Sequence, residues 1–169
     1  MVRVNAVLDS WKTVRSDTAL AVEEFPADEF SYRPAADLMT FGEIATHILQ
    51  AGHVLTGALL NGVENFSTPE FRSLFPRFIA QLPPHETQVD LAAALRSTVE
   101  SRCAQLAEQA PEFFAAMVTR FDGQLVTRLE MLQTIKEHEL THRSQMFVYL
   151  RLKGLVPATT RRRLAKAKP

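Results

Sequence analysis

The chain has 169 residues, 46% of them apolar and 22% charged, which suits a soluble globular protein with one sizeable core. Its 19 basic residues match its 19 acidic ones, so no global field draws it to nucleic acid or to a membrane. Cys103 is the only cysteine, which excludes an intrachain disulfide and points to the cytoplasm, and the N-terminus lacks the apolar run of a signal peptide.

Four long helical patterns are spaced along the chain. The first spans roughly Val4 to Glu24, with Val4, Leu8, Trp11, Val14, Thr18 and Val22 at spacings of three and four. Pro26 ends it, and the segment to Leu38 reads as a loop. The second pattern opens at Thr40, whose hydroxyl and the Glu43 carboxylate have the spacing of a capping box. Its stripe is Phe41, Ile44, Ile48, Ala51, Leu55 and Leu59, and Asn61-Gly62 supplies a stop. The stretch from Ile44 to Val63 carries no Asp, Glu, Lys or Arg, but His47, Gln50, His53 and Asn61 suit a buried bundle helix better than a bilayer.

A long connection follows, with a short extra helix expected between Pro69 and Leu82 before Pro83-Pro84 breaks it. The third pattern runs from about Gln88 to Gln109. Pro111 to Gln124 is too irregular to assign, although Asp122-Gly123 marks a turn. The fourth begins at a second capping box, Thr127 with Glu130, and carries Leu129, Leu132, Ile135, His138, His142, Met146 and Tyr149 on one stripe, with Gly154 as its C-terminal stop. No strand-like alternation competes. The expected fold is all-α, a four-helix bundle with a long crossover connection and a short extra helix. Arg161 to Pro169 holds five positive charges, leaving 14 basic against 19 acidic residues in the rest, and reads as a solvated, flexible tail. It lacks the interleaved aromatics of a nucleic-acid binder, so nucleic acid is not an expected partner.

The chemistry gathers on the fourth helix. His138-Glu139-Leu140-Thr141-His142 is an H-E-x-x-H, the spacing that sets two imidazoles on one helix face for a metal. Zinc peptidases add a third ligand downstream, yet Arg143 to Pro169 contains no Asp, Glu, His or Cys. The third ligand must therefore lie upstream. His47 borders the buried stripe of the second helix. His53 lies six residues on, on a different face, and His85 sits in a proline-rich loop. The set His47, His138 and His142 follows. The bland alternative is a pair of core histidines bonded to buried polar groups. A di-iron site is disfavoured, because Glu43 to His47 is one residue longer than the Glu-x-x-His it needs. Glu139 steps about 100° around the helix from His138 and reads as a surface residue or a partner behind the ligands, not as the base. Gln145, three residues past His142, could orient a ligand at the metal. Arg143 could hold an anionic substrate or brace the helix through an acidic residue.

The segment from His138 to Met146, with Tyr149-Leu150-Arg151, Gly154 and Pro157, resembles the C-terminal signature of the DinB/YfiT-like metalloenzyme family. Phe30-Ser31-Tyr32-Arg33-Pro34 and Thr40 to Ile48 resemble its earlier motifs, and Ser144 stands where a glycine is frequent. The resemblance implies a single DinB-like bundle over residues 1–157, followed by the tail 158–169. It also implies a homodimer, and a three-His site that binds a divalent metal, zinc or nickel. Characterised members of the family include thiol-dependent S-transferases and a mycothiol-dependent isomerase. The expected activity is thus metal activation of a low-molecular-weight thiol cofactor against a small-molecule substrate, with Gln145 and Arg143 as candidate catalytic residues. The alternatives are a hydrolase using metal-activated water at the same site, and a non-enzymatic, dimerising helical bundle.

Overall fold

Each of the four stripes is a helix in the computed structural model, which describes residues 3–167. Helix α1 is Val4–Glu24 and α2 is Phe41–Leu60. The long connection carries two short helices, α3 (Pro69–Ser73) and α4 (Phe75–Ile79), where the sequence suggested one. Pro76 accounts for the break, since it has no backbone N–H to continue the ladder of α3. Helix α5 is Gln88–Ala107, and α6 (Pro111–Ala115) follows. The segment too irregular to assign then forms a small antiparallel hairpin, β1 (Met117–Thr119) with β2 (Leu125–Thr127). Helix α7, Arg128–Leu152, is the longest.

Local chemistry fixes the two helices that bear the histidines. At the start of α2, Thr40 Oγ1 accepts from the Glu43 N–H at 3.2 Å, while Glu43 Oε2 accepts from the Thr40 N–H at 2.7 Å. Thr127 and Glu130 repeat this pair of bonds at the start of α7. Orphan amides of both first turns are thereby satisfied. Glu43, the carboxylate a di-iron site would have needed, is spent on its cap.

Around the bundle the order is α1, α5, α2, α7, so helices consecutive in the sequence lie diagonally in two cases and need long connections. The core falls into two apolar clusters. One gathers around Trp11, Leu55, Leu59 and Leu106, the other around Val22, Phe25, Phe41 and Leu95. In the second, the rings of Phe25 and Phe41 stack with centroids 3.7 Å apart. Arg15 of α1 falls between the two clusters, and its side chain is only 1% exposed.

The C-terminal segment differs from the flexible tail expected of it. Ala158–Lys166 is a nine-residue helix, α8, starting after Pro157. Arg162 reaches Asp17 of α1 at 2.5 Å, Arg161 pairs with Glu24, and Arg151 donates to Thr160 Oγ1 at 2.9 Å. A basic run read alone looks self-repelling. Against the acidic side of α1 it has partners, and that is what the local sequence did not reveal. Among the described residues, no helix is long and apolar enough to cross a membrane.

Candidate metal centre

Helix α2 carries His47 one turn past Ile44, and α7 carries His138 and His142 on successive turns of its inward face. The packing of α2 on α7 brings all three rings together. Their donor nitrogens lie within 4.8 Å of one another. His138 Nε2 is 3.1 Å from His47 Nε2 and 3.1 Å from His142 Nε2. Two nitrogens bound at about 2.0–2.1 Å in tetrahedral geometry stand roughly 3.3 Å apart, so these separations suit one shared cation. Hydrogen bonding explains the arrangement less well. A single Nε2 carries at most one proton, and His138 Nε2 faces two other ring nitrogens at once.

The tautomers agree with ligation. His142 Nδ1 lies 2.8 Å from Gln145 Oε1, an oxygen that can only accept, so Nδ1 bears a proton and Nε2 is the nitrogen placed to face a metal. Burial pushes the pKa of His138 down to about 4, with His142 and His47 adding to the effect. Burial likewise lowers that of His47, with a smaller contribution from His142. Both imidazoles are therefore neutral near pH 7 and have no proton to shed before binding a metal.

Beside His47 and His138 opens a cavity of about 300 Å³, walled chiefly by Leu55, Phe75, Phe121 and Ile135. Phe121 comes from the turn of the hairpin and Phe75 from the first residue of α4. The connections that the sequence left least defined thus build the wall of the site. No alternation or long periodicity marks a three-residue strand, so only the aromatic residues themselves could have signalled it.

Other candidates lie elsewhere. Arg143 points to α1, where Nη1 is 3.5 Å from Asp17 Oδ2, and its guanidinium covers the Phe147 ring. Of the two roles weighed for it, the structure favours the brace, because Asp17 is buried and needs a cation. His53 is buried on another face of α2 against Arg102, and His85 Nδ1 lies 2.8 Å from the Pro83 carbonyl. Cys103 is buried, and its thiol is pushed up to about 12 by that burial, so it is no nucleophile.

Glu139 is neither a surface residue nor a base. Only 2% exposed, it points into the core, where Oε2 accepts from Trp11 Nε1 at 2.7 Å and from Arg15 Nη2 at 2.8 Å. Its Oε1 accepts from Arg15 Nε at 2.7 Å and Thr18 Oγ1 at 3.1 Å. Four charge-assisted bonds leave it no freedom to collect a proton at the histidines. The same guanidinium also reaches the Leu95 and Ile48 carbonyls, at 3.4 and 3.5 Å. Arg15 therefore touches α5, α2 and α7 from α1. Sequence reading passed over it. The available signal was a charged residue four places after Trp11 on an apolar face, which demands a buried counter-charge.

Known proteins resemble this chain in sequence and fold. A model of the DinB family matches residues 1–168. The Bacillus subtilis protein YjoA is 27% identical over 157 residues, covering 91% of this chain and 93% of YjoA. The crystal structure of that DinB-like protein superposes with a TM-score of 0.68 at 26% identity, over 88% of this chain and 92% of its own. A DinB-like protein from Bacillus cereus gives 0.67 at 21% identity, over 90% and 94%. A mycothiol-dependent maleylpyruvate isomerase gives 0.62 at 15% identity, over 86% of this chain and 61% of that one, a likeness of fold.

Proposed function

The chain belongs to the DinB family, and on that premise we propose that it is a metal-dependent enzyme in which His47, His138 and His142 hold one divalent cation, zinc or nickel, for the activation of a low-molecular-weight thiol. The observation that carries the reading is the convergence of three imidazoles from two helices on one point. Three protein ligands with a position to spare are the mark of a catalytic rather than a structural site. Bound there, such a cation supplies Lewis acidity that lowers the pKa of a thiol or water.

The chain's own groups do the rest. Gln145 fixes the tautomer and tilt of His142 through the Nδ1 bond. The cavity beside His47 and His138 excludes water and accepts an apolar portion of the substrate or of the thiol. Thiol chemistry is favoured over metal-assisted hydrolysis by the position of Glu139. A peptidase-like hydrolase uses that residue as its base, and here it is locked to Arg15. A mycothiol-dependent protein among the structural neighbours supports the same preference. The reading includes pairing as a homodimer, which sedimentation equilibrium measures.

The test is elemental analysis of protein purified without an immobilised-metal column. About one zinc or nickel per chain is expected, lost from His138→Ala and strongly reduced in His47→Ala. Metal-free wild-type protein that takes up no added zinc or nickel would sink the proposal. Reaction of a model electrophile with a panel of small thiols, with and without the ion, then identifies the thiol.

A further inference from the structure

A second cavity, of about 360 Å³, opens between α2, α5 and the segment after α4, and none of its lining residues borders the first. Arg102 of α5 stands in its wall, only 8% exposed. Its Nη2 donates to His53 Nε2 at 3.0 Å and its Nη1 to Gln105 Oε1 at 2.9 Å. Both partners are uncharged. His53 accepts through Nε2, so Nδ1 carries the only ring proton, and that nitrogen is itself buried without a hydrogen-bond partner. Arg102 Nε is buried and has no partner.

This guanidinium lacks what the other buried ones possess. Arg15 has Glu139 and Arg143 has Asp17. No Asp or Glu lines the cavity beside Arg102. Burial lowers its pKa, and no acidic neighbour offsets that. Leaving a buried charge uncompensated is expensive. Yet the backbone makes room for it: a Cβ on Gly57 would lie 2.8 Å from Arg102 Nη2. Around the guanidinium, Gln81, Ser97 and Ser101 add amide and hydroxyl groups to the lining, the donors an anion accepts from.

We propose that this cavity binds an oxyanion, a phosphate group either free or carried on a small organic molecule, with Arg102 as its charged anchor and the α5 serines as neutral donors. A planar guanidinium with spare N–H groups matches a tetrahedral oxyanion in charge and in geometry. A volume of about 360 Å³ lies within the range of small-ligand sites and exceeds what a bare phosphate fills. The site stands apart from the three histidines, so its fate is separate from that of the proposed metal centre.

Calorimetric titration of the full chain with inorganic phosphate, and with glycerol 3-phosphate, tests this against chloride at equal ionic strength. Saturable binding is expected in the wild type and, unchanged, in His138→Ala, which separates it from phosphate at a metal. Arg102→Gln should weaken it by about tenfold or more. Tighter binding of the ester identifies a carried phosphate, and tighter binding of the inorganic ion a free one. In case Arg102→Gln folds poorly, Gln105→Glu provides the complement. A carboxylate in place of the amide 2.9 Å from Nη1 supplies an internal anion. That variant should melt higher than the wild type without phosphate and lose the rise in Tm of about 3–6 °C expected at ten times Kd. No binding in the wild type, loss of binding in His138→Ala, or wild-type affinity in Gln105→Glu would each overturn the proposal.

Discussion

His138 and Glu139 are neighbours in sequence and do opposite work. One turns its ring to the cluster shared with α2, the other its carboxylate to α1. The H-E-x-x-H pattern made the two histidines legible, because a spacing of four on a helix has only one geometric outcome. It left the role of Glu139 open, because the partner that decides it lies 124 residues away. Glu139→Gln keeps the shape and strands the Arg15 charge. A loss of about 3–5 kcal/mol in urea unfolding is expected, with metal content per folded chain unchanged. A variant as stable as the wild type would mean that Glu139 is not structural. His53 offers a second check. Burial, with Arg102 and Arg15 nearby, pushes its pKa down to about 4. The unfolded chain therefore binds this proton more readily than the folded one. The stability it contributes is complete above about pH 6.5 and falls as the pH drops toward 4. Melting curves across that window should show a shallower decline in His53→Gln than in the wild type.

At the scale of elements, the helices that carry the site announced themselves through their caps. Thr40 with Glu43 and Thr127 with Glu130 both make the reciprocal bonds their spacing suggested. Thr127→Ala removes one such set and should cost about 1 kcal/mol, lowering Tm by roughly 2–4 °C as read by circular dichroism. The elements that escaped the sequence are the short ones. Strands of three residues give no alternation to detect. Helix α8 escaped for another reason, since its Arg161 and Arg162 are explained by acids of α1 far away in the chain. These same overlooked parts include Phe121, which helps to wall the cavity beside the histidines.

For the whole molecule, periodicity supplied the number of long helices but not the order in which they ring the core. That order is set where Arg15 reaches Glu139 and the carbonyls of Ile48 and Leu95. A glycine allows it. A Cβ on Gly52 of α2 would lie 2.5 Å from Arg15 Nη2, so Gly52→Ala must displace the guanidinium. A loss of about 3 kcal/mol or more is expected from overpacking and a broken ion pair, measured by chemical denaturation. An unperturbed Gly52→Ala protein would show that the four-helix junction at Arg15 is dispensable.

The clasp between Arg15 and Glu139 has one more effect. Since Glu139 is anchored on the side of α7 that faces α1, that rod cannot roll about its own axis, and the rings it presents to α2 stay aimed whether or not an ion sits among them. Loading should therefore resemble filling a socket rather than folding a finger around a bead: a strong chelator is expected to leave the far-ultraviolet helical signal intact, and re-addition of the ion to restore occupancy without a refolding lag.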